Sequence, residues 1–169
     1  MMGRSLWFLG ALATVGIVAT AVLGYGLHSP ADPGMPRHII AALASTLPLM
    51  LAHSWILLYL LGTGKVIRDA VRDGGLGPAP LARSRRLRRI CYPTILLAAV
   101  LIMSTFLVGG AVAAKSAPPW IHQALFWAAL AVQSGVLGVE WWGLAENERL
   151  LVEVDRRLIA ASPLSAAGA

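Results

Sequence analysis

Four histidines stand where their chemistry would matter most in this chain. His28, His38 and His122 fall near the ends of apolar segments, at similar depth, so helices facing one another could present imidazoles to a b-type haem or a metal ion. Asp32 and Met35 lie in the same connection and offer further ligands. The plainer reading is that these three histidines meet headgroups and water. His53 differs, because it lies inside an apolar segment about 13 Å from its end at helical rise. Met103, Ser104 and Thr105, Gln133 and Ser134, and Thr14 reach a comparable depth on other segments. Polar groups in hydrocarbon need partners, so these are expected to converge.

Three uses fit that cluster. His53 serves as an axial haem ligand with Met103 opposite, as a proton acceptor in a relay with Glu140, or as interhelical glue. Glu140 sits within a turn of Trp141 and Trp142, where it would reach water or pair with Arg149 or a loop arginine. Pro48 removes a backbone hydrogen bond and is expected to kink the helix near His53. No nucleophile and base pair is recognisable, so an intramembrane enzyme ranks last. The lone Cys91 excludes an internal disulfide and a thiolate cluster.

The elements that hold these groups follow from composition. Of 169 residues, 57% are hydrophobic and 13% charged, and mean hydropathy is +0.71. That charge content is about half that of soluble domains, so lipid must be part of the solvent. Four segments are long enough to cross the hydrocarbon: residues 6–27, 39–61, 94–114 and 121–142. Each must be helical to satisfy its backbone. The expected fold is all-α: an integral membrane four-helix bundle in one domain, with a basic loop over 65–92 and a tail over 143–169 carrying an amphipathic helix. No internal repeat is evident.

With four spans, twelve of the fourteen lysines and arginines lie on one side; Arg37 and Lys115 lie on the other. The positive-inside rule then places both termini in the cytoplasm of a bacterial inner membrane. A signal peptide ending at Ala19-Thr20-Ala21 is the rival for the first span, but the apolar run continues to full spanning length. The net charge of +6 gathers in Arg83-Ser84-Arg85-Arg86-Leu87-Arg88-Arg89 beside a membrane helix. There it reads as a topology signal and an attractor of anionic headgroups, not a nucleic-acid site. Gly62-Thr63-Gly64-Lys65 lacks the first glycine and the Ser or Thr of a phosphate loop. Small residues recur every four positions at Gly16, Thr20 and Gly24 and at Ser134 and Gly138, and point to close helix packing.

The stretch from His53 to Lys65, with Ser54, Tyr59 and Gly62-Thr63-Gly64-Lys65, resembles a motif in a group of small bacterial four-span proteins, some of which carry asparagine at the position of His53. Pro93 and the charged tail from Glu146 to Arg157 match the same group. The resemblance implies the architecture and supplies no activity. The function expected is therefore a non-catalytic membrane subunit or anchor of a larger complex, respiratory in type, with a protein partner or a second copy. It would bind haem b or a metal through His53, Met103, His38, His122 or His28. The alternative is a small oligomeric transporter or proton channel using His53 and Glu140.

Overall fold

The computed structural model describes residues 2–27, 29 and 31–161. These form four helices: α1 over Met2–Tyr25, α2 over Met35–Asp73, α3 over Ala79–Ala113 and α4 over Pro119–Ala161. All four are long and apolar enough to cross a membrane, and the chain is a multi-pass, all-α bundle. Helix α1 has 24 residues, about the span itself at ~36 Å. The others have 39, 35 and 43 residues, about 52–65 Å at the same rise, and must project from the bilayer.

That length corrects the expected layout. The basic 65–92 segment is mostly helix, broken only between Asp73 and Ala79, and α4 continues through the span into the tail without a break. Helices α2 and α3 also run through Pro48 and Pro93. The reason is packing: the projecting turns bury Ile67, Leu150 and Val154 in a small core of their own. Arg83 on α3 then clasps two carboxylates of α4, Glu146 and Glu153, at 2.6 Å each.

Within the bundle, α2 and α4 touch across the diagonal, while α1 and α3 flank them without contacting each other. Ile56, Leu60, Leu87, Cys91, Ile95 and Leu144 form the largest buried cluster, toward the end where α2 and α3 are linked. A second cluster joins Ala13, Leu49, Ile102 and Ala129. Exposed apolar residues such as Leu12, Leu47, Leu58, Val100 and Leu107 form the surface that lipid covers.

The two hairpins repeat one another, contrary to the sequence reading. Thr20 and Gly24 on α1 correspond to Thr105 and Gly109 on α3, and His38 on α2 to His122 on α4. The buried positions Leu49, Ala52, Ile56 and Leu60 of α2 recur as Gln133, Val136, Glu140 and Leu144 of α4. Apart from the matched Thr, Gly and His, what repeats is burial and steric role, which the sequence alone hides. Helices α1 and α3 run one way and α2 and α4 the other, so the two hairpins share one direction.

Candidate functional site

The end of the bundle away from the α2–α3 linker encloses a cavity of about 710 Å³. Its mouth carries Ser29, Met35 and Lys115, its walls Ile17, Ile102 and Phe106 among others, and its floor Thr14, Thr46 and Gln133. All four helices contribute, and the size is that of an ordinary small-molecule or cofactor site.

His38 and His122 both line this cavity. Each stands in the first turns of a helix with a proline among its first two residues, Pro36 in α2 and Pro119 in α4. Each aims Nδ1 at a backbone carbonyl of the preceding span: His38 at Thr20 O, 3.0 Å away, and His122 at Thr105 O, 3.0 Å away. A carbonyl only accepts, so Nδ1 carries the proton and donates. The Nε2 lone pair is then left for a ligand, and neither Nε2 has a protein hydrogen-bond partner among the described residues.

Glycine makes room for both rings. A Cβ built on Gly24 would lie 2.7 Å from the His38 Cε1, and one on Gly109 would lie 2.9 Å from the His122 Cε1. Any larger residue would displace the ring from its carbonyl. The Thr-x3-Gly pairs of α1 and α3 thus seat two matched imidazoles, one from each hairpin.

His53 lies below this cavity in a separate, closed setting, 2% exposed. Its Nδ1 is 2.6 Å from the Glu140 Oε1, and its Nε2 is 3.1 Å from the Gln133 Oε1. Gln133 Nε2 donates to Thr14 Oγ1 at 3.2 Å, and Thr14 in turn donates to Gly10 O at 2.8 Å. The chain fixes the protons. The Gln133 oxygen must accept, so His53 Nε2 is an N–H, and one further proton lies between Nδ1 and Glu140. Glu140 Oε2 is buried without a hydrogen-bond partner among the described residues.

Several expectations need correction here. Glu140 does not reach interfacial water or an arginine; it is buried and paired with His53, the two residues that the relay reading of the sequence put together. Met103 is 38% exposed on the outside of α3, so it does not face His53 as an opposite ligand. Both ring nitrogens of His53 are already engaged, which removes it from the ligand set. Of the polar groups expected around it, Gln133 and Thr14 converge, whereas Ser134 is exposed and bonds to Leu130 O. His28 lies outside the described residues. Among the described residues no group of three or more His, Cys, Asp or Glu converges as a metal site.

Sequence reasoning missed the carbonyls that orient His38 and His122, the glycines that seat them, and Lys115 at the mouth. The signal was present as Thr20-x3-Gly24 and Thr105-x3-Gly109 ahead of a proline and a histidine. It also missed a polar bridge nearer the linker, where Thr63 Oγ1 donates to Asn147 Oδ1 at 3.1 Å. Comparison with family models, curated proteins and solved structures returned no match. The class therefore rests on fold and site: a polytopic four-helix bundle with a two-histidine cavity.

Proposed function

We propose that this chain is a non-catalytic membrane subunit that binds haem b between His38 and His122 and carries electrons within a larger complex, respiratory in type. One observation carries the reading: two imidazoles from matched hairpins face one cavity, each with Nδ1–H on a backbone carbonyl and with Nε2 lacking a protein partner among the described residues. Metal-bound histidines almost always donate their other ring nitrogen in this way, which fixes tautomer and ring plane. Bundle cores are where facing helices build such sites. The chemistry haem supplies when bound is reversible one-electron transfer at iron.

The remaining lining fits the group. Ile17, Ile102, Phe106 and Phe126 offer apolar walls for a macrocycle, and Lys115 at the mouth offers a cation for its carboxylates. The orientation proposed with this reading has both termini in the cytoplasm of a bacterial inner membrane, on the arginine-rich side. There the projecting helices would offer docking surface to a partner or to anionic lipid. Membership in the group of small bacterial four-span proteins, suggested by the motif from His53 to Lys65, belongs to the same proposal. A transporter or proton channel has less support, because the buried cluster around Leu60, Leu87 and Leu144 stands between Glu140 and the linker end.

The test is an absorption spectrum of the detergent-purified protein from haem-replete cells, oxidised and then reduced with dithionite, with metal analysis on the same sample. A Soret band that shifts on reduction, and that is lost in His38→Ala and His122→Ala but kept in Met103→Leu, is the expected result. Colourless, metal-free protein would overturn the reading.

A further inference from the structure

The cavity floor and the buried His53–Glu140 pair share two residues. Gln133 and Thr14 line the cavity, and Gln133 also holds His53 Nε2. On the other side of the pair, Leu144 follows Glu140 by one helical turn and Leu60 follows His53 by two. With Leu87 and Cys91 they form a continuous apolar layer toward the linker. The pair thus has one polar neighbour path, upward through Gln133, and an apolar seal below.

We infer that His53 and Glu140 form a proton-storing site that exchanges with water in the cavity through Gln133 and is closed to the linker end of the bundle. Gln133 is the gate. An amide held as acceptor from His53 and donor to Thr14 passes no proton while both bonds stand, so exchange requires it to swing aside and admit a cavity water to Nε2. The site in its resting form holds one proton between imidazole and carboxylate. Nε2 already carries a proton, so it passes that proton to the water, which hands one on to the aqueous phase at the mouth. The pair is left as a neutral imidazole donating from Nδ1 to the Glu140 carboxylate, and reloading is the reverse step.

The surroundings are otherwise neutral. Facing the pair are Gly10 and Thr14 from α1, the Cys91 thiol from α3 and Gln133 from α4. Among the described residues, the ion-pair partner of Glu140 is His53 alone. Loss of that proton therefore leaves the pair with one uncompensated negative charge in a low-dielectric setting, which is costly. Release follows a rise in pH at the cavity face, or the arrival of positive charge in the cavity. The second condition would couple the pair to whatever the cavity binds. The inference itself rests on the cavity and the hydrogen bonds, not on the occupant, so it stands or falls apart from haem.

The experiment uses the full chain in proteoliposomes sorted by orientation, with infrared detection of the carboxyl and imidazole bands that Glu140→Gln and His53→Gln remove. A pH step between roughly pH 4 and pH 9 is applied to one face at a time. The bands are expected to follow the step on the cavity face and to ignore it on the linker face. Gln133→Ala should speed the response about tenfold, the weight of one lost gating hydrogen bond. Should that variant fail to fold, Gln133→Asn keeps an amide too short to bridge Thr14 and His53 and should act in the same direction. Bands that follow the linker face, bands that do not change in that range, or a rate indifferent to Gln133 would each overturn the proposal.

Discussion

His53 and the pair His38 and His122 are the same residue type in the same bundle, yet their settings are opposites. His53 spends both ring nitrogens on protein partners and is almost wholly buried. His38 and His122 spend one nitrogen each, on a carbonyl, and keep the other beside a large cavity. A histidine whose hydrogen bonds close within the protein contributes to packing and proton storage. A histidine with one nitrogen oriented and the other open is prepared for something not made by the chain. The lesson concerns satisfaction, not burial or position along the span.

The contrast can be broken by removing each kind of histidine. His53→Leu should cost the most, ~3 kcal/mol in reversible unfolding in mixed micelles, because Glu140 is left buried without its partner. The double variant His53→Leu with Glu140→Leu should be less destabilised than His53→Leu alone, since no unpaired polar group remains. Equal losses would mean that the pair is a bystander. His38→Ala and His122→Ala should cost under ~1 kcal/mol in the same assay, the scale of one hydrogen bond, while abolishing the cofactor spectrum.

A finer test keeps the histidines and moves them. Gly24→Ala and Gly109→Ala each place a Cβ within 3 Å of an imidazole. Each should weaken cofactor binding by about 10–100-fold, as loss of an orienting contact does at metal sites, with little change in His53. Titration of the stripped protein with haemin would read this directly. Unchanged affinity in both would sink the role assigned to the two glycines.

The smallest effect belongs to the projecting helices. Arg83 holds the Glu153 carboxyl below its usual range through their hydrogen bond, and Arg83 itself is held more strongly protonated by Glu146 and Glu153. A depressed carboxylate contributes stability that is present above its unfolded value and lost as pH falls through its folded one. The clasp should therefore loosen only in acid, below the ordinary carboxylate range. Arg83→Ala should give a small, salt-sensitive rise in hydrogen exchange over residues 146–158 at neutral pH, and no change in the cavity spectrum.

Much of this was legible in the chain. Four apolar runs of spanning length, separated by Pro- and Gly-rich breaks, require four membrane helices, because an apolar backbone in lipid has no other way to satisfy itself. Depth along a helix was legible too, since rise per residue is fixed. That arithmetic put His53, Gln133 and Thr14 at one level, where they do meet. It failed for Met103, which has the right depth and the wrong face. For Glu140 it was divided: the chain named it with His53 in a relay, and the two do meet, but proximity to tryptophans also suggested an interface, whereas helix α4 turns that carboxylate inward.

What the sequence by itself determined is therefore the number of helices and the depth of each polar group, both consequences of composition and a constant rise. What only the tertiary structure decided is which groups face one another. Helix rotation depends on how the side chains of four helices interdigitate, and no single segment encodes it. The direct contact of Glu140 with His53, and the open Nε2 of His38 and of His122, which have no protein partner among the described residues, follow from that rotation.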